Sequence, residues 1–187
     1  MPFRYAAFDI RVFVTSARLK CSSNPMTDIP AALIKCFEDF EQGLAFNYSV
    51  PGLTVNQITE FAELYDPQRF HLDENEAAKT HFGGLVASGF QTQLLCFRPF
   101  CEEVLLNTQA IGAPGIDSLK WLRPWYPGET LEVNVTLVSK RLSARRNDRG
   151  YLGFELKAAV SGAPVLAMDW VVIMLTWDGA RVEGDTE

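Results

Sequence analysis

The stretch GFQTQLLCFRPFCEEVLL, from Gly89 to Leu106, constrains the fold more than any other part of the chain. Ser88 precedes it and Gln91 follows three residues on, the pattern of a capping box that opens a helix. Phe90, Leu94, Phe97, Cys101 and Leu105 mark one side of that helix, but Leu95, Cys96, Phe100 and Val104 fill others. A helix that is apolar nearly all round must be buried, so the rest of the chain has to be built round it. Pro99 lies within it and should kink or break it, because its nitrogen cannot donate to the preceding turn.

After this helix the apolar period changes from 3.6 to 2. Leu119 to Arg123 reads as a strand, and Tyr126-Pro127-Gly128-Glu129 places Pro and Gly where a type II turn needs them. Leu131, Val133, Val135 and Leu137 then alternate with polar residues, and Leu152, Phe154, Leu156, Ala158 and Val160 alternate in the next strand. Val165 to Trp177 is apolar on both faces, which suits a central strand or a subunit contact. One buried helix followed by an antiparallel meander is an α+β chain whose sheet wraps a single helix.

Upstream, Phe46 to Val50 suits a short strand. Thr54 and Gln57 form a capping box, and Ile58, Phe61, Ala62 and Tyr65 lie on one helical face. Asp66-Pro67 ends that helix, since the residue before a proline is pushed out of the α region. Asp73 with Glu76 opens a short helix running to about Phe82, and Gly83-Gly84 stops it.

The 187 residues suit one domain, with no internal repeat or linker. Residues 1–25 differ in composition, holding Arg4, Arg11, Arg18 and Lys20 against the single acid Asp9. Such a leader is either a targeting segment or an upstream extension with translation starting at Met26. It lacks a small-residue cleavage site and an apolar centre, which points to the extension. Alternation from Phe8 to Val12 suggests a short strand, yet the leader is expected to have no place in the fold. The domain is then 26–180, with 181–187 a solvated tail. A net charge of −6 argues against a nucleic-acid partner. No run of 18 apolar residues suggests a membrane span. Cys21, Cys36, Cys96 and Cys101 form no C-x-x-C pair and read as reduced thiols of a cytoplasmic protein. His71 and His81, the only histidines, do not lie at zinc-ligand spacing from a cysteine, so no metal is expected.

Four segments in order resemble the MaoC-like dehydratases of the hotdog superfamily, which include (R)-specific enoyl-CoA hydratases. They are Phe37-Glu38-Asp39-Phe40 with Gly43, the run from Phe61 to Asp73, the run from Phe82 to Gly89, and Leu122-Arg123-Pro124 followed by Pro127-Gly128-Glu129-Thr130-Leu131. The resemblance covers Cys36 to Trp177 and implies a hotdog fold, an antiparallel sheet wrapped around one long helix. It also implies a catalytic Asp followed five residues later by His, here Asp66 and His71. Two positions depart from the family. Gln68 stands where hydratases of this family commonly have Asn, and Ser88-Gly89 where they commonly have His-Gly. These residues, with Phe70, are expected to flank the thioester.

The resemblance implies that water is added across an α,β-unsaturated acyl-CoA thioester, or removed from a 3-hydroxyacyl-CoA, with R stereochemistry. A carboxylate and an imidazole can share the work of activating water and protonating the α-carbon. Without the resemblance, Asp66 reads more readily as a helix cap and His71 as a surface histidine. The Gly89 N–H, at the head of a buried helix, can hold the charge on the thioester oxygen; Ser88 reads equally as a plain N-cap and Gly89 as a packing residue. Lys140, Arg141, Arg145, Arg146 and Arg149 form a basic cluster. Arg145 and Arg146 could hold the phosphates of coenzyme A, or the cluster could be a solvated hairpin tip. No cofactor is expected, coenzyme A entering only as part of the substrate. The alternatives are an acyl-CoA thioesterase and a non-catalytic acyl-binding subunit of a hotdog heteromer. The two-faced strand from Val165 implies a homodimer or larger assembly.

Overall fold

The period-two segments form the long strands of one antiparallel sheet. The computed structural model describes residues 12–15 and 36–184, and within them the sheet has seven strands. These are β1 (Val12–Thr15), β2 (Ala45–Val50), β3 (Ala110–Gly112), β4 (Ile116–Trp121), β5 (Leu131–Leu142), β6 (Arg149–Val160) and β7 (Ala163–Leu175). Their spatial order is β1-β2-β5-β6-β7-β3, and β4 also pairs with β7. The α-helices are α1 (Val55–Tyr65), α2 (Arg69–Leu72), α3 (Glu74–Ala78), α4 (Gly89–Glu103) and α5 (Trp177–Gly184).

The sheet curls round α4, as the resemblance implies. Leu131, Val133, Val135 and Leu137 of β5 and Leu152, Phe154, Leu156 and Ala158 of β6 are buried on the inner face. Each such large side chain contributes roughly 1.5–3 kcal/mol on burial. A register slip between Leu137 and Ser139 lets the β5–β6 ladder bend. Phe100 of α4 packs edge-on against Phe46 of β2, Phe154 of β6 and Trp170 of β7, so one ring ties the helix to both halves of the sheet. β7 is central, between β6 and the pair β3 and β4. Met168, Trp170, Val172 and Met174 are buried on its inner face.

Several boundaries differ from expectation. β4 spans Ile116–Trp121, so Leu122 and Arg123 lie beyond it. β7 ends at Leu175, and Trp177 opens α5, which carries the expected tail residue Arg181 within a helix. α3 stops at Ala78, short of Phe82. The Ser88–Gln91 capping box does not form. Ser88 Oγ accepts from the Phe90 N–H, while the Gln91 amide donates across to the Gln57 carbonyl of α1. α4 ends at Glu103, and a 3-10 turn covers Leu105–Asn107. Pro99 does not break it. The ring is buried, and the Tyr48 hydroxyl donates to the Cys96 carbonyl nearby, 2.5 Å away. The expected burial all round is not met within one chain either. Phe90 and Leu94 are 54% and 55% exposed, on a face the sheet does not cover.

Four leader residues have a place after all. Val12–Thr15 pair with β2 in register Val12↔Tyr48 to Thr15↔Ala45, so β1 is the edge and β2 has a backbone partner on both sides. Met26 and the rest of the leader lie outside the described residues. So does Cys21, while Cys36, Cys96 and Cys101 are free thiols. Burial pushes the Cys36 and Cys96 thiols up to about 12, with Asp39 and Glu38 adding to the effect at Cys36. The turn after β4 is as expected. Gly128 has φ of +79°, and the Glu129 N–H donates to the Tyr126 carbonyl at 3.3 Å.

Candidate active site

The site begins where α1 stops. Asp66 caps the helix, its N–H donating to the Ala62 carbonyl. Pro67 prevents continuation, and the Gln68 N–H returns to the Asp66 carbonyl at 2.7 Å, closing a three-residue turn. α2 follows at once and carries His71 inward, where only 5% of it remains exposed. Phe70 stands edge-on to the His71 ring at 4.5 Å and leans on Phe82 at 5.0 Å. The Val86 N–H donates to the Phe70 carbonyl, so the segment before α4 runs beside α2 and brings Ser88 to Asp66.

The side chains converge on Asp66. His71 Nε2 lies 3.3 Å from Asp66 Oδ2. Ser88 Oγ, fully buried, donates to Oδ2 at 2.7 Å, and Gln68 Nε2 donates to Oδ1 at 2.8 Å. His71 Nδ1 is 2.7 Å from the Val86 carbonyl. A carbonyl can only accept, so Nδ1 carries a hydrogen and the ring turns Nε2 toward the carboxylate. At that distance the imidazole and the carboxylate can pass a proton directly or through a hydroxyl that both contact. Burial by itself raises the Asp66 pKa, but hydrogen bonds from Ser88 and Gln68 and the field of His71 more than offset it, holding the carboxyl below its ordinary value.

Gly89 is the first residue of α4, so its N–H has no intrahelical acceptor and lies at the positive end of the helix. The packing reading of Gly89 holds as well. Trp121 Nε1 donates to the Gly89 carbonyl at 2.9 Å, and a Cβ at position 89 would sit 2.5 Å from the indole. Asp66, His71 and Gly89 face one cleft of about 350 Å³, walled by Phe70, Phe82, Phe90, Trp121 and Trp125.

The structure thus gathers Asp66, Gln68, Phe70, His71, Ser88 and Gly89. Gln68 and Ser88 were expected to flank the thioester; both grip the Asp66 carboxylate. Arg145 and Arg146 are not brought to the cleft within this chain. Their hairpin follows β5 and leads into Arg149, which pairs with Leu175 at the far end of β7 from the cleft residue Val165. Ten strand residues separate those ends by roughly 30 Å. Arg146 instead pairs with Asp148 at 2.6 Å. Sequence reasoning missed Trp121, Trp125 and Arg123, which line the cleft. Arg123 is held there by Glu129 at 2.6 Å. Its segment carries part of the family resemblance, but nothing in its spacing says that it turns back toward His71.

The sequence and the fold are similar to those of known proteins. A family model described as "MaoC like domain" matches residues 39–152. A Bacillus subtilis (strain 168) protein, YdeM, described as uncharacterized, is 30% identical over 115 residues, 62% of this chain and 80% of that protein. The crystal structure of a MaoC-like dehydratase from Rhodospirillum rubrum superposes with a TM-score of 0.69 at 31% identity, covering 76% of this chain and 97% of that one. An (R)-hydratase from A. caviae involved in PHA biosynthesis shares the fold, with a TM-score of 0.59 at 24% identity over 71% of this chain and 96% of that one. The architecture is the hotdog fold.

Proposed function

Because this chain belongs to the MaoC-like domain family, with the fold of hydratases and dehydratases, we propose that it interconverts a 2-enoyl-CoA and a (3R)-hydroxyacyl-CoA. The observation that carries this reading is the Asp66–His71 pair, 3.3 Å apart at the head of α4 in an aromatic-walled cleft.

In the hydration direction, water sits between Asp66 Oδ2 and His71 Nε2. Its oxygen bonds to C3 as the C2=C3 π electrons move toward the thioester carbonyl, and the pair takes its proton. The Gly89 N–H holds the oxyanion, a contribution of roughly 3 kcal/mol for a preorganised donor. The pair then returns a proton to C2 as the carbonyl re-forms. Only protons and water are exchanged, so the balance asks for no cofactor, and coenzyme A serves as the carrier thiol. Phe70 holds the imidazole edge-on, and the aromatic walls keep bulk water from the enolate.

The same reading takes a second copy of the chain as the partner. Phe90, Leu94 and Trp121 are 54%, 55% and 49% exposed beside the cleft mouth, and an apolar surface there suits a homodimer. Light scattering at micromolar concentration is expected to give at least twice the chain mass; a monomer would contradict it. Crotonyl-CoA tests the chemistry, with loss of enoyl absorbance and release of free thiol followed separately. Loss without thiol supports hydration. Equal thiol release would make the protein a thioesterase, and neither signal would point to a non-catalytic acyl-binding subunit.

A further inference from the structure

An aspartate's terminal torsion is broad and two-fold, so its backbone position alone does not decide which oxygen faces a partner. Asp66 has an added device. Across Pro67, whose ring fixes φ, Gln68 is tied to Asp66 twice. Its N–H donates to the Asp66 carbonyl at 2.7 Å, and its side-chain Nε2 donates to Oδ1 at 2.8 Å. Gln68 is exposed, so water could serve its amide equally well, yet the amide folds back on the neighbouring carboxylate. Oδ1 is thereby engaged, and Oδ2 is left for Ser88 at 2.7 Å and His71 at 3.3 Å.

We propose that Gln68 is a positioning residue for the dyad, clamping the Asp66 carboxylate across Pro67 so that Oδ2 is the oxygen presented to His71 and the cleft. The proposal rests on the reading of Asp66 as the acid–base group. The groups that face this carboxylate are few. His71 comes from α2, and Ser88 from the head of α4 with its helix dipole. Arg123, paired with Glu129, lines the same cleft. Gln68 supplies a neutral donor, so it favours the ionised carboxylate without cancelling its charge. Asp66 is then the member of the pair that stays anionic as pH falls, free to accept the proton of a hydroxyl.

The test has two readouts. The Asp66 carboxyl is titrated by carbon-13 NMR in substrate-free protein, for wild type, Gln68→Ala and Gln68→Glu. Crotonyl-CoA hydration is then measured for the same three. The titration midpoint is expected to rise in Gln68→Ala and further in Gln68→Glu, which adds a like charge. For Gln68→Ala, kcat should fall roughly tenfold, as for a lost hydrogen bond to a charged group, with KM nearly unchanged. The melting temperature should hold, since the side chain is exposed. An unmoved midpoint in both variants overturns the proposal, and so does a shifted midpoint with unchanged kcat. Shifted midpoints in a protein with no turnover on any enoyl-CoA would leave the clamp standing and remove the hydratase reading instead.

Discussion

Among the described residues, two aspartates have their pKa held below the ordinary carboxyl value, and they differ in what holds them. At the hairpin between β5 and β6, Asp148 accepts from the guanidinium groups of Arg149 and Arg146, whose hydrogen bonds and charges drive its carboxyl far down. At the head of α4, Asp66 is held chiefly by neutral donors, the Ser88 hydroxyl and the Gln68 amide, with His71 beside it. Cations cancel the charge they stabilise. Neutral donors keep it ionised and leave it uncompensated. A lowered pKa is therefore not in itself the mark of a working group; the mark is a charge kept alive next to a second titratable side chain in a cleft.

The largest effect should come from breaking the Asp66 arrangement. Asp66→Asn and His71→Ala are each expected to lower kcat on an enoyl-CoA by at least about a hundredfold. Both variants should fold. His71→Ala leaves the buried Val86 carbonyl without its donor, a loss of about 1–3 kcal/mol that should show as a few degrees of melting temperature. Near wild-type turnover in either variant would remove the dyad assignment.

A smaller, directional effect follows from the acidity of Asp66. A depressed carboxyl stays ionised below the range where a free aspartate protonates. Activity that needs the carboxylate persists there and is lost only as pH falls through the depressed value. The stability linked to it has the same sign, present above the unfolded aspartate's range and lost as pH falls through the folded one. Ser88→Ala removes the stronger of the two neutral donors to Asp66, so the acid limb of kcat/KM should move to higher pH. A limb that stays where it is would mean that Ser88 acts only as the N-cap of α4.

The two regions also differ in how far the chain spelled them out. The Asp66–His71 spacing, the buried helix and the alternating strands are local patterns, and each formed close to where it was read. That Ser88 turns to Asp66 was not legible, because the contact joins residues 22 apart and depends on how the segment before α4 lies beside α2; Gln68 is only two residues from Asp66, but its spacing does not say that its amide folds back on the carboxylate. Ser88 was read as partnering Gln91 in a capping box, and the wrong partner was chosen because Gln57 of α1, distant in sequence, claims the Gln91 amide. The basic hairpin failed as a phosphate site for the same kind of reason. Composition showed five cations, but not that Asp148 would take two of them, nor that strand direction would carry the tip to the far end of the sheet. The exposed side of α4 was misread as core because periodicity reports apolar character and not what covers it.

Gly89→Ala probes the donor beside the dyad and should cost less than losing the dyad itself. The methyl group would sit 2.5 Å from the Trp121 ring, so the indole must shift and its hydrogen bond to the Gly89 carbonyl must stretch or break. The N–H remains, but approach to it narrows. kcat is expected to fall roughly tenfold, part of the hundredfold or more that loss of an oxyanion donor brings. Trp121→Phe in the same background separates the causes. If Gly89→Ala acts through the indole, the smaller ring should restore some turnover. No recovery would mean that the added methyl group itself blocks the thioester oxygen.

The smallest effect is expected at the hairpin, and its smallness is what the comparison predicts. Arg146→Ala frees Asp148 from one of its two guanidinium partners, while Arg149 keeps the other at 2.9 Å. Both arginine groups lie roughly 30 Å of strand away from the cleft residues of the same chain. Arg145→Ala and Arg146→Ala, singly or together, should therefore leave kcat/KM on an enoyl-CoA within about twofold. The melting temperature should stay within about 2 °C, as for surface ion pairs generally. The informative control compares an enoyl-CoA with the enoyl thioester of pantetheine, which lacks the nucleotide phosphates. If the double variant loses kcat/KM several-fold on the coenzyme A thioester alone, the hairpin reaches the nucleotide phosphates, and only a second copy of the chain could deliver it there. The contrast between the two aspartates would then stand within one chain and dissolve in the assembly, with the hairpin arginines serving the neighbour's substrate.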